Sequence, residues 1–136
     1  MKFLFLLTSM LVASGACVAQ SGISPSMSAE LKMFRLQSQK LHDGVLRVQL
    51  RDELVSPMVF DSMATGVCSE AARDPVGFKG MKISRLEVLN SVGAQGFALL
   101  NAGSVCERTS TMKAADGAAL VSANVVRCEA GVCRRR

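Results

Sequence analysis

Ile83-Ser84-Arg85-Leu86-Glu87-Val88-Leu89-Asn90 is followed, after Ser91-Val92-Gly93-Ala94-Gln95, by Gly96-Phe97-Ala98-Leu99-Leu100. Two apolar runs joined across a glycine-containing turn predict a β-hairpin. Leu86 and Val88 alternate with Arg85 and Glu87, which places the first pair on a buried face and the second in water. Leu89 breaks the alternation. A lone hairpin is barely stable in water, so this one requires further strands or a helix against it.

Upstream, Leu46, Val48 and Leu50 alternate with Arg47, Gln49 and Arg51, a second strand with one dry and one wet face. Ser56-Pro57 reads as a helix N-cap with proline at the first helical position. Phe60, Met63, Ala64, Val67 and Ala71 then recur at helical spacing until Asp74-Pro75. Gly66 inside this helix costs about 1 kcal/mol relative to alanine. Before the strand, Met27, Leu31, Phe34 and Leu41 fall near one helical stripe, which predicts a helix from about Ser28 that Asp43-Gly44 stops. Val76 to Lys82 reads as a loop, Val105-Cys106 as the start of a short strand, and Ala118 to Arg127 as a final strand. The expected fold is α+β: an antiparallel sheet of about four strands with two helices packed on one face, held by two disulfides.

The start of the chain carries a different message. Lys2, the apolar run Phe3 to Leu7 with Met10 to Val12, and the small residues up to Ala19 have the layout of an export signal over residues 1–19. That run is too short for a bilayer span, which needs about 20 residues. Cleavage after Ala19 leaves Gln20 as the mature N-terminus. A rival cut lies at Cys17, where Ser14-Gly15-Ala16 resembles a bacterial lipobox, although an aliphatic residue is usual at the position of Ser14. The organisation that follows is a signal at 1–19, a flexible leader at 20–27, one domain at 28–133 and a basic tail at 134–136. Roughly 117 mature residues suffice for one domain with its own core.

Of five cysteines, Cys68, Cys106, Cys128 and Cys133 remain after either cut, and an even set in an exported chain reads as disulfides. Four cysteines allow three pairings. The expected one joins Cys68, late in the second helix, to Cys106 after the hairpin, and closes Cys128 on Cys133 across Glu129-Ala130-Gly131-Val132. The spacing of the latter pair does not match a thioredoxin-like redox motif.

The formal charge is +5, and Arg134, Arg135 and Arg136 supply three of those charges. A nearly neutral body without tryptophan or tyrosine gives nucleic-acid binding little support. The terminal arginines read as a solvated tail, or as a contact with anionic lipid. His42 is the single histidine, too few for a clustered metal site, and at a helix end it meets the dipole. Cys133 is followed by Arg134 where haem attachment needs histidine. There is no Gly-x-Ser-x-Gly elbow, Asp52-Glu53 reads as a solvated turn, and Gly93 with Gly96 lacks the following helix of a phosphate loop. No cofactor is expected. The leading expectation is a small, non-catalytic envelope protein that binds another envelope protein through a strand edge or the stretch Glu107 to Gly117, as an inhibitor, immunity protein or accessory subunit would. The alternatives are a lipoprotein anchored through Cys17 and a small periplasmic enzyme using His42 or a carboxylate. The oligomeric state is not legible.

Overall fold

A computed structural model describes residues 22–135. The export signal, Cys17 and Arg136 lie outside the described residues. Five helices and six strands follow one another as α1 (Pro25–Leu31), β1 (Leu36–His42), β2 (Val45–Leu50), α2 (Pro57–Arg73), α3 (Pro75–Met81), β3 (Arg85–Leu89), β4 (Gly96–Leu100), α4 (Ala102–Thr109), α5 (Ala114–Ala123), β5 (Val125–Glu129) and β6 (Val132–Cys133). The class is α+β, and the strands form one six-stranded sheet in sequential order. The expected sheet of about four antiparallel strands under two helices is corrected in number and in direction. Four of the pairings are antiparallel, but β2 and β3 run parallel. The reason is the connection: α2 and α3 carry the chain back along the sheet before β3 begins, and a crossover of that length is what a parallel pair requires.

The hairpin at 83–100 is present as β3 and β4, with Leu86 opposite Leu99 and Val88 opposite Phe97. Leu46, Val48 and Leu50 of β2 are buried as their alternation requires. Helix α2 starts as read, with Ser56 Oγ accepting the Val59 N–H at 3.2 Å and Pro57 in the first turn. It lays Phe60, Met63, Ala64, Val67 and Ala71 onto the sheet, where Phe60 meets Phe97 at a ring-centroid distance of 5.5 Å. Each fully buried Leu, Val or Phe of this layer contributes roughly 1.5–3 kcal/mol.

Several local readings are overturned. The helix expected from Ser28 to Gly44 ends at Leu31, and residues 36–42 are an edge strand instead. Asp43 and Gly44 are not a helix stop: both have positive φ, 48° and 76°, the backbone of a two-residue hairpin turn that Asp-Gly favours. The loop expected at 76–82 is α3, because Asp74 caps it by accepting the Gly77 N–H and Pro75 sits where its missing N–H costs nothing. Val105-Cys106 belongs to α4, and the strand expected at 118–127 divides into α5 and β5 at Asn124. Ala114, Ala115, Ala118, Ala119 and Ala123 explain that helix through alanine's propensity. Helix α1 begins inside the stretch read as leader and buries Met27 and Leu31.

Candidate functional site

The cysteines are paired as Cys68–Cys106, tying α2 to α4, and Cys128–Cys133, closing the β5–β6 hairpin. Oxidised pairs of this kind are compatible with an extracellular compartment. No helix among the described residues is long and apolar enough to cross a membrane.

The groups singled out for chemistry are dispersed. His42 stands on the edge strand, not at a helix end, with its side chain 74 % exposed and Nε2 3.1 Å from Asp43 Oδ2. No group of three or more potential metal ligands exists among the described residues. Arg134 and Arg135 are exposed. The stretch Glu107 to Gly117 is the end of α4, a short link and the start of α5. It forms one rim of a groove of about 400 Å³ between α2 and α5, lined by Thr65, Cys68 and Ser69 on one side and by Lys113, Gly117 and Val121 on the other. Helix α5 has only Gly117 buried, seated against Thr109.

Two acidic side chains that the sequence reading passed over share one arginine. Arg73 Nη2 lies 3.1 Å from Glu30 of α1 and 3.0 Å from the buried Glu70. Glu70 Oε1 makes no hydrogen bond, so its contact with Arg73 is an ion contact of poor angle. The Glu30 side chain rests on Gly66, where a Cβ would come within 2.8 Å of its Oε1. This carboxylate pair pins α1 to α2; it opens into none of the cavities described for the chain.

The arrangement with most chemical character lies on the sheet face away from the helices. Because side chains alternate along each strand, the register lines up Lys40, Arg47, Glu87, Ala98 and Val126 in one row across five strands. A neighbouring row runs His42, Val45, Arg85, Leu100, and the row on the other side runs Ser38, Gln49, Leu89, Gly96, Cys128, Cys133. The face therefore has two halves. Leu89, Ala98, Val126, Cys128 and Cys133 form an apolar cluster at the β4–β6 side. Charged groups gather at the β1–β3 side.

Glu87 organises that charged half, and here the hairpin reading is corrected, since Glu87 is not in water but only 4 % exposed. An ionised carboxylate leaves water at large cost unless paired and hydrogen-bonded. Glu87 is both: Arg47 donates from Nε at 2.9 Å and approaches with Nη2 at 2.8 Å, and Arg85 donates from Nη1 at 3.3 Å. The Arg47 side chain remains 55 % exposed, so its other N–H groups face solvent. Lys40, next in the row, has no ion-pair partner among the described residues. Lys40, His42, Asp43, Val45, Arg47 and Glu87 together line a shallow depression of about 330 Å³.

This depression adjoins the outer edge of β1. With β1 at one end of the strand order, no strand among the described residues pairs with its far side. Nothing in the spacing of Arg47 and Glu87, forty residues apart, reveals their contact; only the parallel register of β2 and β3 brings them together. Comparison of the chain with protein-family models, with curated proteins and with solved structures finds no match in any of the three.

Proposed function

We propose that this chain is an exported bacterial envelope protein of non-catalytic type that binds another protein by accepting a strand along the outer edge of β1. The observation that carries the reading is that edge: a seven-residue strand at the end of the sheet, with no strand paired to its outer side among the described residues. An edge strand presents a row of N–H and C=O groups that an extended partner segment satisfies, so affinity comes from the main chain and specificity from the side chains beside it. The two disulfides support export, because such bonds persist in oxidising compartments.

A photo-reactive residue placed at Ser38 of β1, and as control at Val132 of β6, tests the edge in cells that export the chain. Covalent capture of one partner from position 38 and not from position 132 is the expected result. Equal capture from both positions, or none from position 38, contradicts it. The intact mass of the same material tests the state of the N-terminus. A chain beginning at Gln20 is expected, and a diacylglyceryl group on Cys17 replaces the soluble reading by an anchored one.

A further inference from the structure

We infer that the strand accepted by β1 is acidic, with a carboxylate at the position beside Lys40. The inference rests on the edge-binding reading above and adds the chemistry of the partner. A strand added to β1 continues the rows of the sheet at a spacing of about 4.8 Å. Its side chain in the Lys40 row therefore lies directly against the Lys40 ammonium, with the Arg47 guanidinium one strand further on. Opposite charges at such cross-strand positions attract, and like charges repel.

The charge inventory of the depression decides the sign. Glu87 is already engaged by Arg47 and Arg85, and Asp43 is 3.1 Å from His42 Nε2. Asp43, 87 % exposed, keeps a negative charge at the turn end of the strand, so what remains uncommitted in the Lys40 row itself is positive: the Lys40 ammonium and the outward N–H groups of Arg47. Glu87 fixes the Arg47 guanidinium by two of its nitrogens, so this donor is oriented before any ligand arrives. The adjoining position, beside His42, is different in character, because Asp43 there opposes a second carboxylate. A single acid opposite Lys40, flanked by neutral residues at the alternate positions, is the pattern that the edge selects.

The test uses the oxidised chain, isotopically labelled, and three short extended peptides of alternating Thr and Val that differ at one central residue, Glu, Gln or Lys. The Glu peptide is expected to shift the backbone amides of residues 36–42 and to bind about tenfold more tightly than the Lys peptide. Raising the salt concentration narrows that gap, since exposed charges are screened over about 8 Å at physiological ionic strength. In the Lys40→Glu variant the order of the two peptides reverses. If all three peptides shift the β1 amides with equal affinity, the edge reading stands and the acidic partner is refuted. If no peptide moves those amides, or if they shift with protein concentration alone because a second copy occupies the edge, both readings fall. Vesicles of phosphatidylglycerol that shift Lys40 and Arg47 while the Glu peptide does not would assign the positive groups to lipid and overturn the inference.

Discussion

The two edges of the sheet are finished in opposite ways. At one end, β6 is two residues long, joined to β5 by a tight turn and closed by the Cys128–Cys133 bond, and beside it lies the apolar cluster of Leu89, Ala98 and Val126. At the other end, β1 offers seven residues, charged or polar along the open face, without a covalent staple and without a neighbouring strand among the described residues. Proteins protect edges that must not pair by shortening them, covering them or placing charge on them. The β6 end uses shortness and a crosslink. The β1 end has only Lys40 and the irregularity between Leu36 and Ser38. The comparison teaches that one end of the sheet is closed by a covalent bond while the other is left to its side chains, and it is at this second end that we propose recognition.

The largest effect that sharpens this contrast concerns the bond between α2 and α4. Replacing Cys68 and Cys106 by alanine opens a loop with a sequence separation of 38 and should lower unfolding free energy by about 4 kcal/mol on the loop-entropy scale. The same change at Cys128 and Cys133, separated by five, should cost only about 2 kcal/mol. Urea unfolding of both variants measures the difference, and equal losses would break the assignment of a global and a local staple. Next comes Gly96→Ala, where the new Cβ would run into the Val88 carbonyl oxygen inside the β3–β4 pair. A clash with backbone has no easy relief, so a loss of about 3 kcal/mol is expected by thermal or chemical unfolding.

Glu87→Ala should cost about 2 kcal/mol, less than the breaking of a fully buried ion pair, because Arg47 can return to water. The same variant should abolish the slow exchange of the Arg47 Nε–H in a proton NMR spectrum. A stable variant with that proton unchanged would show that Glu87 does not hold the guanidinium. The smallest effect is at the open edge itself. Lys40→Glu should change stability by no more than about 0.5 kcal/mol, the usual range for an exposed surface site, while changing which peptides bind. A large loss of stability there would mean that β1 is part of the closed half.

Helix α2 and the dry face of β2 are legible in the chain. The alternation of Leu46, Val48 and Leu50, the apolar spacing from Phe60 to Ala71 and the Ser56-Pro57 start are local patterns, and the molecule obeys them. What fails are dipeptides with two physical uses. Asp43-Gly44 can end a helix or turn a hairpin, and Asp74-Pro75 can stop one helix while starting another. The weak stripe from Met27 to Leu41 and the mixed apolar pattern from Ala118 to Arg127 each span a helix and a strand, so neither period dominates. Gly66 carried a further hint, since a glycine within a helix marks a place where something packs closely, here the Glu30 side chain. The charged row was not legible at all. Lys40, Arg47 and Glu87 become neighbours through strand register, and the parallel pairing of β2 with β3 depends on where two helices lead the chain.

The openness of the β1 edge is tested most directly by residue-resolved amide hydrogen exchange in the unbound, oxidised chain. Alternate amides along residues 36–42 should exchange quickly, those turned away from β2, while the amides of β3 and β4 remain uniformly slow. Uniform protection along 36–42 would mean that the edge is already occupied, and would contradict the account.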